Sequence, residues 1–187
     1  VKMRKFIKRI TAAVLISLPF IFISEAIAEK PLKIAVLDLN AIRTKSIAIK
    51  SIRTQIEKYR KTFQKNIKKE EDALRVANQK LAKRRTLLSP DAFAKERRLF
   101  EKNVVVVQKL ARQHKLDLER SLNKAMLVVE KKMNSIMADV ATKRGMSLVL
   151  RRQNTILADR SMDMTEEVLK RLNAELKIVS VKKPGNK

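Results

Sequence analysis

From Leu32 to Arg144 the chain contains a single residue that breaks helices, Pro90. Ser46 to Leu87 has neither Gly nor Pro and is dense in Lys, Glu, Gln, Ala and Leu, all good helix formers. Such a stretch predicts one uninterrupted helix, about 63 Å long at ~1.5 Å per residue. Ser89-Pro90-Asp91 then reads as a helix start, with Ser as N-cap, Pro at the first helical position and Asp in the first turn. A second helix is expected to run from there to about Arg144, where Gly145 stops it.

Apolar spacing agrees. Ile52, Ile56, Tyr59, Phe63, Ile67, Leu74, Ala77, Leu81 and Leu88 recur at helical steps. Phe93, Phe100, Val104, Val107, Ala111, His114, Leu118, Leu122, Ala125, Val129, Met133, Ile136 and Val140 do the same on the second segment. Two helices with one stripe each, joined by a tight turn, bury those stripes against each other. The product is an arm and not a ball. Glu70 and Arg84 fall at seam positions and Ala77 fills little volume, so the arm should be firm at its base and looser outward. Leu122 to Val129 is apolar around more of the helix and should be buried against more than one neighbour.

Short elements flank the arm. Leu32–Leu39 is β-branched and apolar and predicts a strand. Met146–Leu150 and Thr155–Ala158 predict a hairpin of strands. Asp163 followed three residues later by Glu166 predicts a capping box opening a last helix. The basic stretch from Ser180 is expected to be disordered. The fold class is therefore α+β: a long antiparallel helical hairpin (46–144, tip near 88–91) projecting from a small β-rich body (29–45 and 145–179), with a tail at 180–187. So little sheet cannot anchor so long an arm alone. Self-association is the remedy, with Ile34, Val36, Leu148, Val149, Leu150 and Ile156 as candidates for the oligomerisation body.

The first 28 residues read as an export signal. Lys2, Arg4, Lys5, Lys8 and Arg9 precede the apolar stretch Ile10–Ile23, which is shorter than the ~20 residues a membrane span needs. Ala26-Ile27-Ala28 gives the small-x-small cleavage pattern, with the cut between Ala28 and Glu29. The expected compartment is a bacterial periplasm. The segment carries a net +4, so the mature chain keeps +21 of the full +25.

Composition excludes much chemistry. Without Cys there are no disulfides, catalytic thiols or thiolate metal sites. One His and two Gly leave no His-based zinc site and no Gly-rich phosphate cradle. We expect neither an enzyme, nor a cofactor, nor a metal. His114 belongs to the seam, and the helical spacing of Met126, Met133 and Met137 indicates packing. Asp159 with Asp163 supplies too few oxygens for a cation, and capping accounts for Asp163.

What remains is charge. Between residues 41 and 144, 28 Lys+Arg stand against 11 Asp+Glu, a net of +17. A face that served only solubility would mix signs and balance them at i,i+4. Repulsion left standing points to an anionic partner. The densest group lies at the turn: Lys80, Lys83, Arg84, Arg85, Lys95, Arg97 and Arg98. Single-stranded nucleic acid binders interleave cations with stacking aromatics, and after the export segment only Tyr59, Phe63, Phe93 and Phe100 remain. Nucleic acid is thus an incidental ligand. An acidic unfolded chain or an anionic membrane surface fits the compartment better.

Taken in order, these pieces resemble the Skp (OmpH-like) family of periplasmic chaperones. The matching stretches are Lys33-Ile34-Ala35-Val36-Leu37-Asp38, Gly145-Met146-Ser147-Leu148-Val149-Leu150, and Asp163 through Asn173. Met146, at a position often aromatic in the family, and Arg151, at one often acidic, mark a divergent member. The resemblance implies a homotrimer whose three arms enclose a cavity. It also implies an ATP-independent holdase that keeps unfolded outer-membrane β-barrel proteins from aggregating before membrane insertion. The alternatives from the residues alone are a periplasmic coiled-coil scaffold and a basic polyanion- or envelope-binding protein.

Overall fold

The structure is a computed structural model and describes residues 31–185. The stretch read as an export signal, with its expected cut between Ala28 and Glu29, and the last two residues lie outside the described residues. The elements are β1 (Ile34–Leu37), α1 (Leu39–Lys45), α2 (Ile47–Arg84), α3 (Pro90–Lys143), β2 (Leu148–Arg151) and α4 (Thr165–Glu175), with 3-10 turns at Arg152–Asn154 and Arg160–Met162.

The strand read at the start is shorter than its apolar run, because Asp38 ends it. The Asp38 carboxylate accepts from the amides of Asn40 at 2.9 Å and Ala41 at 3.0 Å, which starts the seven-residue α1. Sequence reading missed α1, since a short apolar run cannot be told from a buried helix by periodicity. Ser46 then adopts extended backbone (ψ 128°) and caps α2, its hydroxyl accepting from the Ile49 amide at 3.5 Å.

Helix α2 has 38 residues and α3 has 54, so they extend about 57 and 81 Å. They run antiparallel: Arg84 meets Glu96 near the turn, and the Phe63 ring stacks on His114 midway, centroids 4.2 Å apart. Ser89 caps α3 through the Ala92 amide, with Pro90 in the first turn. At the far end Gly145 has φ +66°, its amide bonding the Thr142 carbonyl while the Met146 amide bonds that of Ala141. This Schellman closure needs a left-handed residue, which only glycine adopts without strain.

The hairpin is itself the crossover between two parallel strands, with Ile34 opposite Leu148 and Leu37 opposite Arg151. The core gathers at the root. Ala35, Ile42, Ile52, Ile136, Val140, Met164, Val168 and Leu172 are each at most 1% exposed. Outward, between Glu57 and Lys80 and between Ala82 and Arg120, no residue is buried. The seam positions named above are there half-buried, and Glu70, Ala77 and Arg84 are exposed.

Four readings need correction. Thr155–Ala158 is not a strand: the 3-10 turn at Arg152–Asn154 ends the sheet, and Ile156 and Leu157 point into solvent. The body is accordingly poor in sheet, with two four-residue strands and the helices α1 and α4. Asp163 and Glu166 form no capping box. Helix α4 begins one residue later than that motif requires, and Asp163 instead accepts from the Thr165 amide at 2.8 Å. The stretch from Ser180 packs on the hairpin as far as it is described, with Val181 only 3% exposed. Finally, Leu127 and Val128, read as buried, are 53% and 48% exposed in the single chain.

Candidate functional site

All seven cations singled out at the turn are exposed. Lys80, Lys83, Arg84 and Arg85 end α2 and its cap, and Lys95, Arg97 and Arg98 lie in the opening turns of α3, so the hairpin closure brings them together. Two are engaged: Arg84 with Glu96 across the hairpin at 2.6 Å, and Arg97 with Glu101 at 3.3 Å along the helix. Lys80, Lys83, Arg85, Lys95 and Arg98 make no ion pair among the described residues. Exposed pairs contribute little, so even the engaged cations remain open to exchange partners. Leu87, 79% exposed, sits within this cationic cluster.

The arm also carries apolar surface that sequence reading missed. Leu99, Val106 and Leu110 follow one another by seven and four positions on one face of α3 and are 62%, 54% and 38% exposed. Val105, Leu116 and Leu127 form a second row at steps of eleven, roughly 100° around the helix from the first and turned away from the seam. The signal was the run Val104–Val107: only Val104 and Val107 fit the seam, so the two middle valines had to face elsewhere. Between the helices lies a cleft of about 690 Å³, lined by Ile56, Phe63, Ile67, Leu118 and Leu122 and by the charged Arg60, Lys68, Lys115, Glu71 and Glu119. His114 contributes its stacked ring to that wall, and its Nδ1 is buried with no hydrogen-bond partner among the described residues.

The candidates for the oligomerisation body are divided. Val36 is 1% exposed and occupied in the chain's own core, while Ile34, Val149 and Leu150 are half-buried. Leu148 is 44% exposed and Ile156 fully so. Strand β1 is bracketed on both edges, by β2 and by the Met164 amide bonding the Val36 carbonyl at 3.0 Å. Strand β2 has an outer edge that meets no other strand among the described residues. An unpaired edge beside exposed apolar side chains is a surface that a second strand can cover.

Two carboxylates of the body have structural partners. Burial would raise the Asp163 carboxyl, but its hydrogen bond from Thr165 and the charges of Arg152 and Arg144 hold it below its ordinary value. Asp159 is lowered by its hydrogen bond from Ser161. Among the described residues no three His, Cys, Asp or Glu side chains converge as a metal site, and no helix is long and apolar enough to cross a membrane.

A long helical hairpin inserted between two parallel strands, closed by a short C-terminal helix, defines an OmpH-like fold. The family model described as outer membrane protein (OmpH-like) matches residues 33–172, and the chain belongs to that family. A crystal structure from Caulobacter crescentus CB15, assigned as an OmpH-like outer membrane chaperone, superposes with a TM-score of 0.76 at 18% identity. The match covers 84% of this chain and 94% of that one. No curated protein sequence matches the chain.

Proposed function

We propose that this protein is a non-catalytic, ATP-independent holdase of the bacterial periplasm that binds unfolded outer-membrane proteins and prevents their aggregation before membrane insertion. The observation that carries this reading is the arm itself, whose cations are largely unpaired and whose apolar rows lie open beside them. Unpaired positive charge draws an acidic unfolded chain by long-range attraction. Exposed valines and leucines spaced along a helix then take up its apolar side chains through many weak contacts. A ligand bound at many weak points stays mobile, and no energy source is needed to let it go. Once the client folds into the membrane the binding form disappears, and mass action empties the chaperone.

Family membership and the fold shared with the Caulobacter crescentus protein support the same reading. So do the open edge of β2 and the exposed Leu148 and Ile156, which fit assembly into a homotrimer with the arms around a common cavity. Anionic membrane surfaces would attract the same cations, and nucleic acid would bind incidentally with a steep salt dependence.

The test dilutes a urea-unfolded outer-membrane barrel into buffer with and without the chain from Glu29 onward and follows light scattering. Suppressed aggregation at about three chains per client supports the holdase and the trimer. Unchanged scattering would leave a basic coiled-coil scaffold as the better account.

A further inference from the structure

We propose that residues 176–184 are a strap that locks the root of the hairpin and places the arm's flexing point outward of Tyr59. The strap begins where α4 ends, and α4 shares the hydrophobic core with α3 through Val168 and Leu172, flanked by ion pairs of Lys132 with Glu175 at 2.7 Å and Arg171 with Asp139 at 3.2 Å. From there the chain crosses to α2. The Asn173 side-chain oxygen accepts the Ile47 amide at 2.9 Å, closing the first turn of that helix. Further along, Gln55 uses both ends of its side-chain amide on the strap. Its Nε2 donates to the Val179 carbonyl at 2.9 Å, and its Oε1 accepts from the Val181 amide at 3.1 Å. The Tyr59 hydroxyl adds a longer bond to the Val181 carbonyl at 3.4 Å.

From Ile178 to Lys182 side-chain burial in the strap alternates as in an extended segment. Val179 and Val181 are 5% and 3% exposed, while Ile178, Ser180 and Lys182 face solvent. One row of side chains closes the hydrophobic root and the other stays wet. The strap's last hydrogen bond to α2 is at Tyr59, and the last buried residue of α2 before the loosely packed stretch is Ile56. Strap and buried seam thus end together, and bending becomes easy only where neither is present. The strap has no regular secondary structure of its own and holds to α2 by two side chains, which makes it a releasable element in a firmly packed body.

Hydrogen exchange on the chain from Glu29 onward, alone and without client, tests the strap independently of the chaperone reading. Three proteins are compared: the unaltered chain, Gln55→Ala, and a chain ending at Lys177. In the unaltered chain the amides of Ile52–Tyr59 should exchange slowly and those of Lys65–Lys80 quickly. In Gln55→Ala the Val181 amide should lose protection and the Ile52–Tyr59 amides should exchange at least about tenfold faster, with Ala35–Leu37 unchanged. Root amides that keep their protection in Gln55→Ala would overturn the proposal. A uniform rise that includes Ala35–Leu37 would overturn it too, since that reports global destabilisation. If the shortened chain does not fold, Gln55→Ala, which leaves the backbone intact, decides alone.

Discussion

The Asp38 amide donates a 2.8 Å hydrogen bond to the hydroxyl of Thr165, 127 positions away in sequence. It joins the end of β1 to the first residue of α4, and Thr165 is 7% exposed. Thr165→Val keeps the shape and removes the acceptor, leaving a part-buried amide unpaired. Unfolding in urea should show a loss of about 1–3 kcal/mol with an unchanged slope. A loss much smaller than that would mean that water replaces the hydroxyl.

Packing along the arm is graded, and its energetics should be graded as well. Ile136, 1% exposed at the root, should cost about 2–5 kcal/mol when changed to Ala. Leu74→Ala in the half-buried seam should cost less than ~1 kcal/mol by the same measurement. Equal losses at the two sites would contradict a firm root and a looser arm.

Asp163 supplies a pH dependence. Its carboxyl is lowered in the folded chain, so its stabilisation is complete above the unfolded-state value near 3.8 and is lost as pH falls through the lower folded value. Stability should therefore decline below about pH 4, and Asp163→Asn should flatten that part of the profile. Urea midpoints from pH 6 to pH 2 measure it. An undiminished slope in the variant would assign the acid sensitivity to other carboxylates.

Ion pairing sorts the seven cations at the turn. Lys83, Arg85, Lys95 and Arg98, like Lys80, make no ion pair among the described residues, whereas Arg84 and Arg97 face Glu96 and Glu101. Reversing the first four to Glu should slow capture of an unfolded acidic barrel about tenfold or more at low salt, with the difference vanishing near 0.5 M salt. Stopped-flow energy transfer reads the rate. An equal rate at low salt would remove electrostatic steering from the account.

Long-range regularity was legible in the sequence, and local exceptions were not. Two uninterrupted helices, the start at Ser89-Pro90-Asp91 and the stop at Gly145 follow from residue types whose backbone preferences act within one turn. Helix α1 was hidden because Asp38 sits in an apolar run and works as a cap only when Asn40 and Ala41 coil over it. Thr155–Ala158 has strand composition but no partner strand among the described residues. The tail was missed because two valines among lysines are a weak pattern, and its partner Gln55 lies far upstream. In the candidate site, composition revealed the cations but could not say which were already paired. The apolar rows on α3 became visible only when the seam had claimed Val104 and Val107 and left Val105 and Val106 outside.

The central claim is that the arm recognises an unfolded chain and not a folded one. Fluorescence anisotropy of a labelled outer-membrane barrel, titrated with the chain from Glu29 onward, tests it directly when the barrel is offered both unfolded and folded in detergent micelles. The account predicts saturable binding to the unfolded barrel and none to the folded form. Equal binding to both, or to neither, would contradict it.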